Sequence, residues 1–310
     1  MSGILKLGTR GSKLARWQAD WVRERLAERG VATEIVVIKT RGDAEVDRPL
    51  HELEGKGFFT KEIEEALLER RIDVAVHSLK DLPTRLAPGL ALAAVPERGD
   101  PRDVLVTRQP GVTSLAGLPP AARVGTSSLR RVAQLRHLRP DVAVLPLRGN
   151  VPTRVRQVKE GGDGALDAAL LARAGLERLG LAAMVAVTLD PLEIMPAPGQ
   201  GALGLEVRAD DRATRGALAP LEHAASARQV AAERSVLAAL GGGCQAPVAA
   251  YAGNGEGRRG MDRLYGRVTA RDGAVQITAS ADVDPADPAA AGVAVADLLG
   301  AQGALELLAR

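Results

Sequence analysis

Short runs that mix arginine or lysine with serine, threonine and glycine recur where apolar, strand-like segments end. They occupy residues 9–12, 78–81, 126–131 and 148–150. In open α/β sheets, ligands bind beyond the carboxyl ends of the strands, where helix N-termini present free N–H groups and a positive dipole end. Arginine adds a planar fork that binds a carboxylate or a phosphate through two hydrogen bonds. One such arginine is usually a solvated surface residue, but the repetition predicts a cleft for a ligand with several anionic groups.

Asp81 is the acidic residue that stands among these basic runs. A carboxylate in that setting can accept an N–H hydrogen bond and stabilise a cation that develops during a reaction. The alternative is that Asp81 only forms the turn before Pro83, just as residues 126–128 can be read as a simple helix cap. The four histidines are scattered, so no metal site is predicted, and His77 is expected to be a hydrogen-bonded support.

Cys244 is the only cysteine in the 310 residues and directly follows three glycines. It has no partner for a disulfide within the chain, so it is a buried filler, a free thiol or an attachment point for a covalent group. The glycines remove side-chain bulk and let a large group approach the backbone. Taken alone, an inert cysteine is the more common case.

The elements that must position these residues are strands that alternate with helices up to about residue 220, which predicts parallel sheets built from βαβ units. Two stretches that contain proline and glycine, residues 97–103 and 196–201, are candidate crossings between lobes. The expected fold is two α/β lobes with paired hinge segments and a small α+β C-terminal domain. Domain 1 would cover residues 1–99 and 201–219, domain 2 residues 104–196, and domain 3, which carries Cys244, residues 222–310.

Two local features refine this outline. Ser12 is expected to cap the first helix, and residues 60–71 are expected to form a helix with glutamates early and Arg70 and Arg71 at its end, which suits the helix dipole. The charged stretch 44–57, with its glycines, predicts a mobile loop.

Composition excludes several classes of protein. Apolar residues make up 46% of the chain, as in a globular protein with real cores, and the net charge of +3 permits an anionic ligand without demanding nucleic acid. Aromatic residues at 2% argue against stacking platforms for single strands. No stretch has the length of a membrane span and the first residues lack the apolar core of a signal peptide. We therefore expect a cytoplasmic protein with no membrane or nucleic-acid partner, and nothing in the sequence demands more than a monomer.

Seven motifs follow one another along essentially the whole chain. They are Thr9-Arg10-Gly11-Ser12-Lys13-Leu14-Ala15, Gly55-Lys56-Gly57-Phe58-Phe59-Thr60-Lys61-Glu62, His77-Ser78-Leu79-Lys80-Asp81-Leu82-Pro83, residues 124–131, Leu147-Arg148-Gly149-Asn150, Ala197-Pro198-Gly199-Gln200-Gly201 and Gly242-Gly243-Cys244-Gln245. Together, in this order, they resemble the porphobilinogen deaminase (hydroxymethylbilane synthase) family.

The resemblance implies a transferase of tetrapyrrole and heme biosynthesis. Four porphobilinogen molecules are joined head to tail, each losing ammonia to give an azafulvene that the free α-carbon of the growing chain attacks, and water releases hydroxymethylbilane. The chain grows on a dipyrromethane cofactor held by a thioether to the cysteine that matches Cys244. The fold implied is three domains, of which the first two resemble a periplasmic-binding-protein pair.

The resemblance also implies roles for individual residues. Asp81 would bind pyrrole N–H groups and stabilise the cationic intermediate. Acetate and propionate groups of cofactor and substrate would be held by Arg10, Ser12, Lys80, Thr126, Ser127, Ser128, Arg130, Arg131, Arg148 and Arg154. The cleft would be supported by Phe59, Ser78, Gly149 and Gln200, and residues 44–57 with Lys56 would form a lid. The sequence departs from the family pattern at Arg16, Glu54 and Arg173, of which Arg173 is expected to be solvated.

Two other functions are alternatives to the tetrapyrrole-forming transferase. A two-lobed anion-binding protein without catalysis would explain the basic strand ends and the hinges, but not Cys244 in its glycine run, a third domain or Asp81. Nucleic-acid binding would rest on the mild positive charge alone, since no concentrated basic stripe is present.

Overall fold

The structure is a computed structural model, and it describes residues 4–40, 60–161, 165–241, 246–253 and 261–309. These residues form two sheets of five strands and one of three. The chain divides into two compact units. One runs up to Gly99 and resumes over Gly201–Ala227, and the other combines Asp100–Gln200 with Arg228–Arg310.

The strands are β1 (Leu5–Thr9), β2 (Thr33–Val37), β3 (Val74–Ser78), β4 (Leu90–Ala94), β5 (Asp103–Thr107), β6 (Arg123–Gly125), β7 (Ala143–Leu145), β8 (Ala168–Ala172), β9 (Val187–Thr188), β10 (Leu203–Arg208), β11 (Val248–Gly253), β12 (Arg263–Thr269) and β13 (Gln276–Asp282). The helices are α1 (Lys13–Ala27), α2 (Lys61–Leu68), α3 (Leu129–Leu138), α4 (Val151–Lys159), α5 (Arg173–Arg178), α6 (Arg212–Leu218), α7 (Ala224–Ala239), α8 (Pro288–Ala301) and α9 (Ala304–Ala309).

The sheet of the first unit has the order β2-β1-β3-β10-β4. Strand β1 pairs in parallel with β2 and β3, whereas β10 is antiparallel to β3 and β4. The parallel sheet that the sequence predicts is therefore a mixed sheet, in which β10 is the antiparallel strand. The reason is that β10 enters the sheet only after the second crossing, from the opposite direction, and hydrophobic periodicity carries no information on strand direction.

The five-stranded sheet of the second unit repeats this arrangement, with the order β7-β6-β8-β5-β9 and β5 antiparallel to both of its neighbours. In each sheet the antiparallel strand is the first strand after a crossing. The two sheets thus share one topology, as expected for a pair of similar α/β lobes. Apolar clusters cover both faces of each sheet, which explains why strands such as β5 are buried throughout.

The three-stranded antiparallel sheet β11-β12-β13 forms the predicted α+β element. Its core is made of small and branched residues from the sheet and from α7, α8 and α9. Gly266 lets a helix approach closely, because a Cβ there would lie 2.5 Å from Cγ1 of Val295. The hairpin turn at Gly273 (φ 82°) touches α3 of the same unit, where a Cβ would lie 2.6 Å from the backbone nitrogen of His137.

Two local predictions need correction, and one short strand was missed. Helix α2 ends at Leu68 with Glu69 as C-cap, so Arg70 and Arg71 lie beyond it and Arg70 turns the chain with φ 58°. The sequence also indicates a helix at residues 177–181, but α5 begins earlier, directly after β8, and ends at Arg178. The short strand β9 was not predicted at all, because two residues give no periodic signal.

Candidate functional site

Asp81 closes a single 3₁₀ turn, Leu79–Asp81, that directly follows β3. The turn is fixed by two anchors. The backbone nitrogen of Leu79 donates to the carbonyl of Ala202 at 3.0 Å, and the side chains of Leu79 and Leu82 are almost fully buried. Asp81 itself stays half-buried, at the carboxyl end of a central strand. This is the position at which ligands bind in open α/β sheets.

A pocket in the first unit brings Asp81 together with three other predicted site residues, Arg10, Ser12 and Ser78. Its remaining lining residues are Leu14, Ala15, Gln18, Thr60, Val76 and His77. Lys80 lies in the same turn as Asp81 and is half-buried. The pocket therefore combines a guanidinium group, hydroxyl groups and one carboxylate at the ends of β1 and β3.

Helix α1 begins at this pocket. The Oγ of Ser12 accepts a hydrogen bond from the backbone nitrogen of Ala15 at 3.2 Å, so Ser12 caps the helix as predicted. One turn further on, the buried Gln18 donates from Nε2 to Oγ of Ser78 at 2.8 Å. Sequence reasoning missed Gln18, although a polar residue four positions after Leu14, on the apolar side of the helix, is a usable signal.

His77 lines the pocket and supports the strand before the turn through a buried contact, in agreement with its predicted role. Its Nε2 lies 3.0 Å from Oε2 of Glu206, and both side chains are buried. Burial, together with the negative charge of Glu206, raises the pKa of Glu64 in the neighbouring helix α2. Nothing in the sequence singles out Glu206, which stands between the apolar residues Leu205 and Val207.

In the second unit, the loop between β6 and α3 carries Thr126, Ser127 and Ser128. The Oγ of Ser127 donates to the carbonyl of Leu147 at 2.9 Å and accepts from the backbone nitrogen of Leu147 at 3.0 Å, which ties this loop to the next strand end. Thr126 is buried, and its Oγ1 accepts from the nitrogen of Ser128 at 3.3 Å. Ser128 stands at the N-cap of α3 without capping it through its side chain.

Arg130 and Arg131 lie in the first turn of α3, and both are buried. They converge on Asp103, whose carboxylate lies 2.8 Å from Nη2 of each arginine. Gln200 joins the same cluster, donating from Nε2 to Oδ1 of Asp103 and to the carbonyl of Pro101, both at 2.7 Å. Burial alone would raise the pKa of Asp103, but the two guanidinium groups hold it well below its usual range.

Residues 148–150 form the entry to α4. Asn150 caps the helix by accepting from the backbone nitrogen of Thr153 at 3.0 Å. Gly149 has φ 96° and a Cβ there would lie 3.0 Å from Cγ2 of Thr153, so a side chain would be strained. The carbonyl of Gly149 accepts from Nε of Arg154 at 2.7 Å, while Arg148 is half-buried beside it.

The remaining predicted residues fall into two groups. Arg16 is exposed, and Arg173 is half-buried with Nε 2.7 Å from Glu177 and 3.3 Å from Asp100, so it is paired rather than freely solvated. Lys56, Phe59 and Cys244, with Glu54 and the stretch 44–57, lie outside the residues that the structure describes.

Family models match almost the whole chain. The model of the porphobilinogen deaminase dipyromethane cofactor binding domain matches residues 5–216, and that of the porphobilinogen deaminase C-terminal domain matches residues 227–301. A porphobilinogen deaminase of Roseiflexus sp. (strain RS-1) is 49% identical over 311 residues, covering 100% of both chains. That of Pelobacter propionicus is 49% identical over 271 residues, covering 87% of this chain and 84% of its own.

Solved structures that match this chain include periplasmic binding proteins, at low sequence identity. A periplasmic substrate-binding protein of an ABC transporter from Coxiella burnetii is 14% identical, with a TM-score of 0.42 over 74% of this chain and 97% of its own. The VFT2 domain of Bordetella pertussis BvgS is 15% identical, with a TM-score of 0.41 over 70% of this chain and 85% of its own. Among the described residues, no helix is both long enough and apolar enough to cross a bilayer.

Proposed function

The chain belongs to the porphobilinogen deaminase family, and from that premise we propose how its own residues carry out the reaction. It is a hydroxymethylbilane synthase: it deaminates four porphobilinogen molecules and joins them head to tail on a dipyrromethane cofactor. The observation that carries the proposal is the pocket at the ends of β1 and β3, where Asp81 stands beside Arg10 in a chain matched by the family over its full length.

Asp81 is the proposed catalytic residue. Its carboxylate oxygens accept hydrogen bonds from pyrrole N–H groups, and their negative charge stabilises the substrate as it becomes cationic on losing ammonia. The short turn between β3 and Pro83 holds the carboxylate in place through the anchored side chains of Leu79 and Leu82. Such preorganisation matters because a charge that is already oriented needs no rearrangement when the cation forms.

The basic residues are proposed to bind the acetate and propionate groups of cofactor and substrate. In the first unit these are Arg10, Ser12 and Lys80, and in the second they are Thr126, Ser127, Ser128, Arg130, Arg131, Arg148 and Arg154. Ser127 already donates its hydroxyl hydrogen to Leu147, so a direct contact from it would use the backbone N–H. Ser78, Gly149 and Gln200 support these residues through the contacts described above, and Phe59 and Lys56 are proposed for the mouth and lid of the cleft.

The donor set fits a polycarboxylate group such as dipyrromethane. Nε of Arg130 is buried without a hydrogen-bond partner in the described part of the chain, which is costly unless a ligand supplies an acceptor. When bound, the cofactor supplies the free α-carbon to which the first substrate pyrrole is joined. We propose Cys244 as the residue that carries it through a thioether.

The intact mass of the purified chain tests this proposal. The mass is expected to exceed the sequence mass by two linked pyrroles, and acidified Ehrlich reagent is expected to colour the protein. The variant Cys244→Ser should lose both the added mass and the colour. Active protein with an unmodified mass and no colour would overturn the covalent attachment.

Compartment and assembly are proposed separately. We propose that the protein works in the cytoplasm as a monomer. A nucleic-acid or membrane partner is not expected, because a net charge of +3 is small for a chain of this length. Light scattering during size-exclusion chromatography and fractionation of the cells that produce the protein test these two points.

A further inference from the structure

Asp103 opens strand β5 and is completely buried. Four hydrogen-bonding contacts reach its carboxylate. Oδ1 accepts from Nη2 of Arg131 at 2.8 Å and from Nε2 of Gln200 at 2.7 Å. Oδ2 accepts from Nε of Arg131 at 3.1 Å and lies 2.8 Å from Nη2 of Arg130. A carboxylate offers about four lone-pair positions, so the accepting capacity of Asp103 is used up.

The cluster contains more positive than negative charge. Arg130 and Arg131 are 4% and 6% exposed, and one carboxylate faces both of them. Buried charges are normally balanced, because an uncompensated charge in a dry site is strongly unfavourable. An excess of one positive charge at the beginning of α3 therefore calls for an anion, and the helix N-terminus adds to the same field.

The hydrogen-bond donors of the two arginines lead to the same conclusion. Arg131 uses Nε and Nη2 on Asp103 and Nη1 on the carbonyl of Leu170 at 3.1 Å. Arg130 uses Nη2 on Asp103 and Nη1 on the carbonyl of Met195, which leaves its buried Nε without a partner among the described residues. One unsatisfied donor and one excess charge match a single anionic oxygen.

We infer that Asp103 is a positioning residue that fixes the direction of Arg130 and Arg131 and reduces their net charge to one, so that the pair binds one carboxylate group through Nε of Arg130. The inference rests on the carboxylate-binding role proposed above for the two arginines. The carboxylate belongs either to the cofactor or to a substrate unit of the growing chain, and the two sources give different results in the experiment below.

The test is intact-mass analysis of the variant Asp103→Asn, using only the folded, monodisperse fraction. The asparagine keeps the shape but removes the charge that orients both arginines. The fraction of chains carrying the cofactor is expected to fall at least fivefold if the bound carboxylate is the cofactor's. If it belongs to the substrate, loading persists and the species with added substrate units fall at least fivefold after porphobilinogen is supplied.

The matched control is Asp141→Asn. Asp141 also binds an arginine through both oxygens, with Arg139 Nη2 at 2.6 Å and Nε at 2.7 Å, but it is exposed on the same unit. The inference would be overturned if cofactor loading and substrate addition in Asp103→Asn both stayed within fivefold of their values in this control. If Asp103 had a purely structural role, Asp103→Asn would lower the melting temperature. In the folded fraction, it would change neither the share of chains that carry the cofactor nor the share that gain substrate units.

Arg130→Lys keeps the inference testable if Asp103→Asn does not fold. Lysine preserves the positive charge beside Asp103 but has no equivalent of Nε, so the same fivefold loss is expected with a stable fold. Normal loading and normal substrate addition in Arg130→Lys would overturn the inference. If the wild-type chain itself carried no pyrroles, the proposed function would fail instead, so the two failures are distinguishable.

Discussion

Nε2 of His77 lies 3.0 Å from Oε2 of Glu206, and the two side chains are 4% and 0% exposed. The register of β3 and β10 places His77 opposite Gly204 and Glu206 opposite Ala75, so both side chains lie on the same face of the sheet. The second oxygen of Glu206 is buried without a partner among the described residues. The pair therefore joins β3, which ends at the Asp81 turn, to β10, the first strand after residues 196–201.

Replacing Glu206 by alanine should therefore destabilise the fold strongly. Loss of the carboxylate leaves a buried imidazole without its partner, and we expect the free energy of unfolding to fall by about 2–4 kcal/mol. Urea unfolding at neutral pH measures the change. The control is Glu34→Gln, which removes an exposed partner 4.0 Å from Lys6 and should have little effect. Equal losses in the two variants would contradict a structural role for the buried pair.

Asp81→Asn should separate cofactor loading from turnover. The asparagine keeps the size of the side chain, so the turn and the added mass of two pyrroles should persist, while the loss of negative charge should reduce turnover by at least 100-fold, roughly the effect of removing one electrostatic contact to a developing charge. Intact mass and the rate of hydroxymethylbilane release are measured on the same sample.

The control for this substitution is Asp210→Asn, on the same unit, where the aspartate is exposed and lies 3.8 Å from Arg70. That variant should load and turn over normally. A normal rate in Asp81→Asn would remove Asp81 from the mechanism, whereas an unloaded chain would assign it to cofactor binding instead.

The sequence predicted the strand ends well because each is a local signal. Apolar runs followed by small polar residues predicted β3, β6 and the turns beyond them, and Ser12 was recognised as a cap from its position before a helical repeat. Asp103 and Glu206 could not be found in this way. Each is a charged residue in an apolar strand, and only the tertiary pairing with an arginine pair or a histidine explains why it is tolerated there.

Strand direction was the other point that the sequence could not supply. Strands β5 and β10 read like any buried strand, yet both run antiparallel to their neighbours because each follows a crossing. The end of α2 was also misjudged: Arg70 and Arg71 suit a helix C-terminus electrostatically, but the chain already turns at Glu69 and buries Ile72.

Acid should weaken the fold partly through Asp103. Because the paired arginines outweigh burial and lower the pKa of Asp103 in the folded state, the unfolded chain, where an aspartate titrates near about 3.9, takes up its proton at a higher pH. The stabilisation that the ionised Asp103 gives to the folded state is therefore fully present above about pH 4 and is lost progressively below it. The expected slope from this one group is up to about 1.4 kcal/mol per pH unit.

Urea unfolding of the wild type and of Asp103→Asn, between about pH 5 and about pH 3, measures this contribution. Asp100, Asp167 and Asp211 also have lowered pKa values, but they are present in both proteins and cancel in the comparison. The variant should be less stable at pH 5 and lose less stability on acidification. If the free energy of unfolding fell equally with pH in the two proteins, the lowered pKa of Asp103 would be contradicted.

Arg267 should hold the three-stranded sheet to helix α3 within the second unit. From β12, its Nη1 donates to Oε1 of Gln134 at 3.0 Å and to the carbonyl of Glu193 at 3.1 Å, and its Nη2 donates to the carbonyl of Leu192 at 2.8 Å. Arg267→Met keeps most of the apolar stem but leaves these acceptors without a donor. Hydrogen exchange should accelerate in residues 129–138 and 190–195, because local opening no longer requires breaking these contacts.

Arg263→Met is the matched control, since Arg263 lies on the same strand and its hydrogen bonds to other described residues stay within the sheet, at Ser280 and Asp282. It should change exchange in β13 alone, and unchanged exchange of residues 129–138 in Arg267→Met would contradict the docking role.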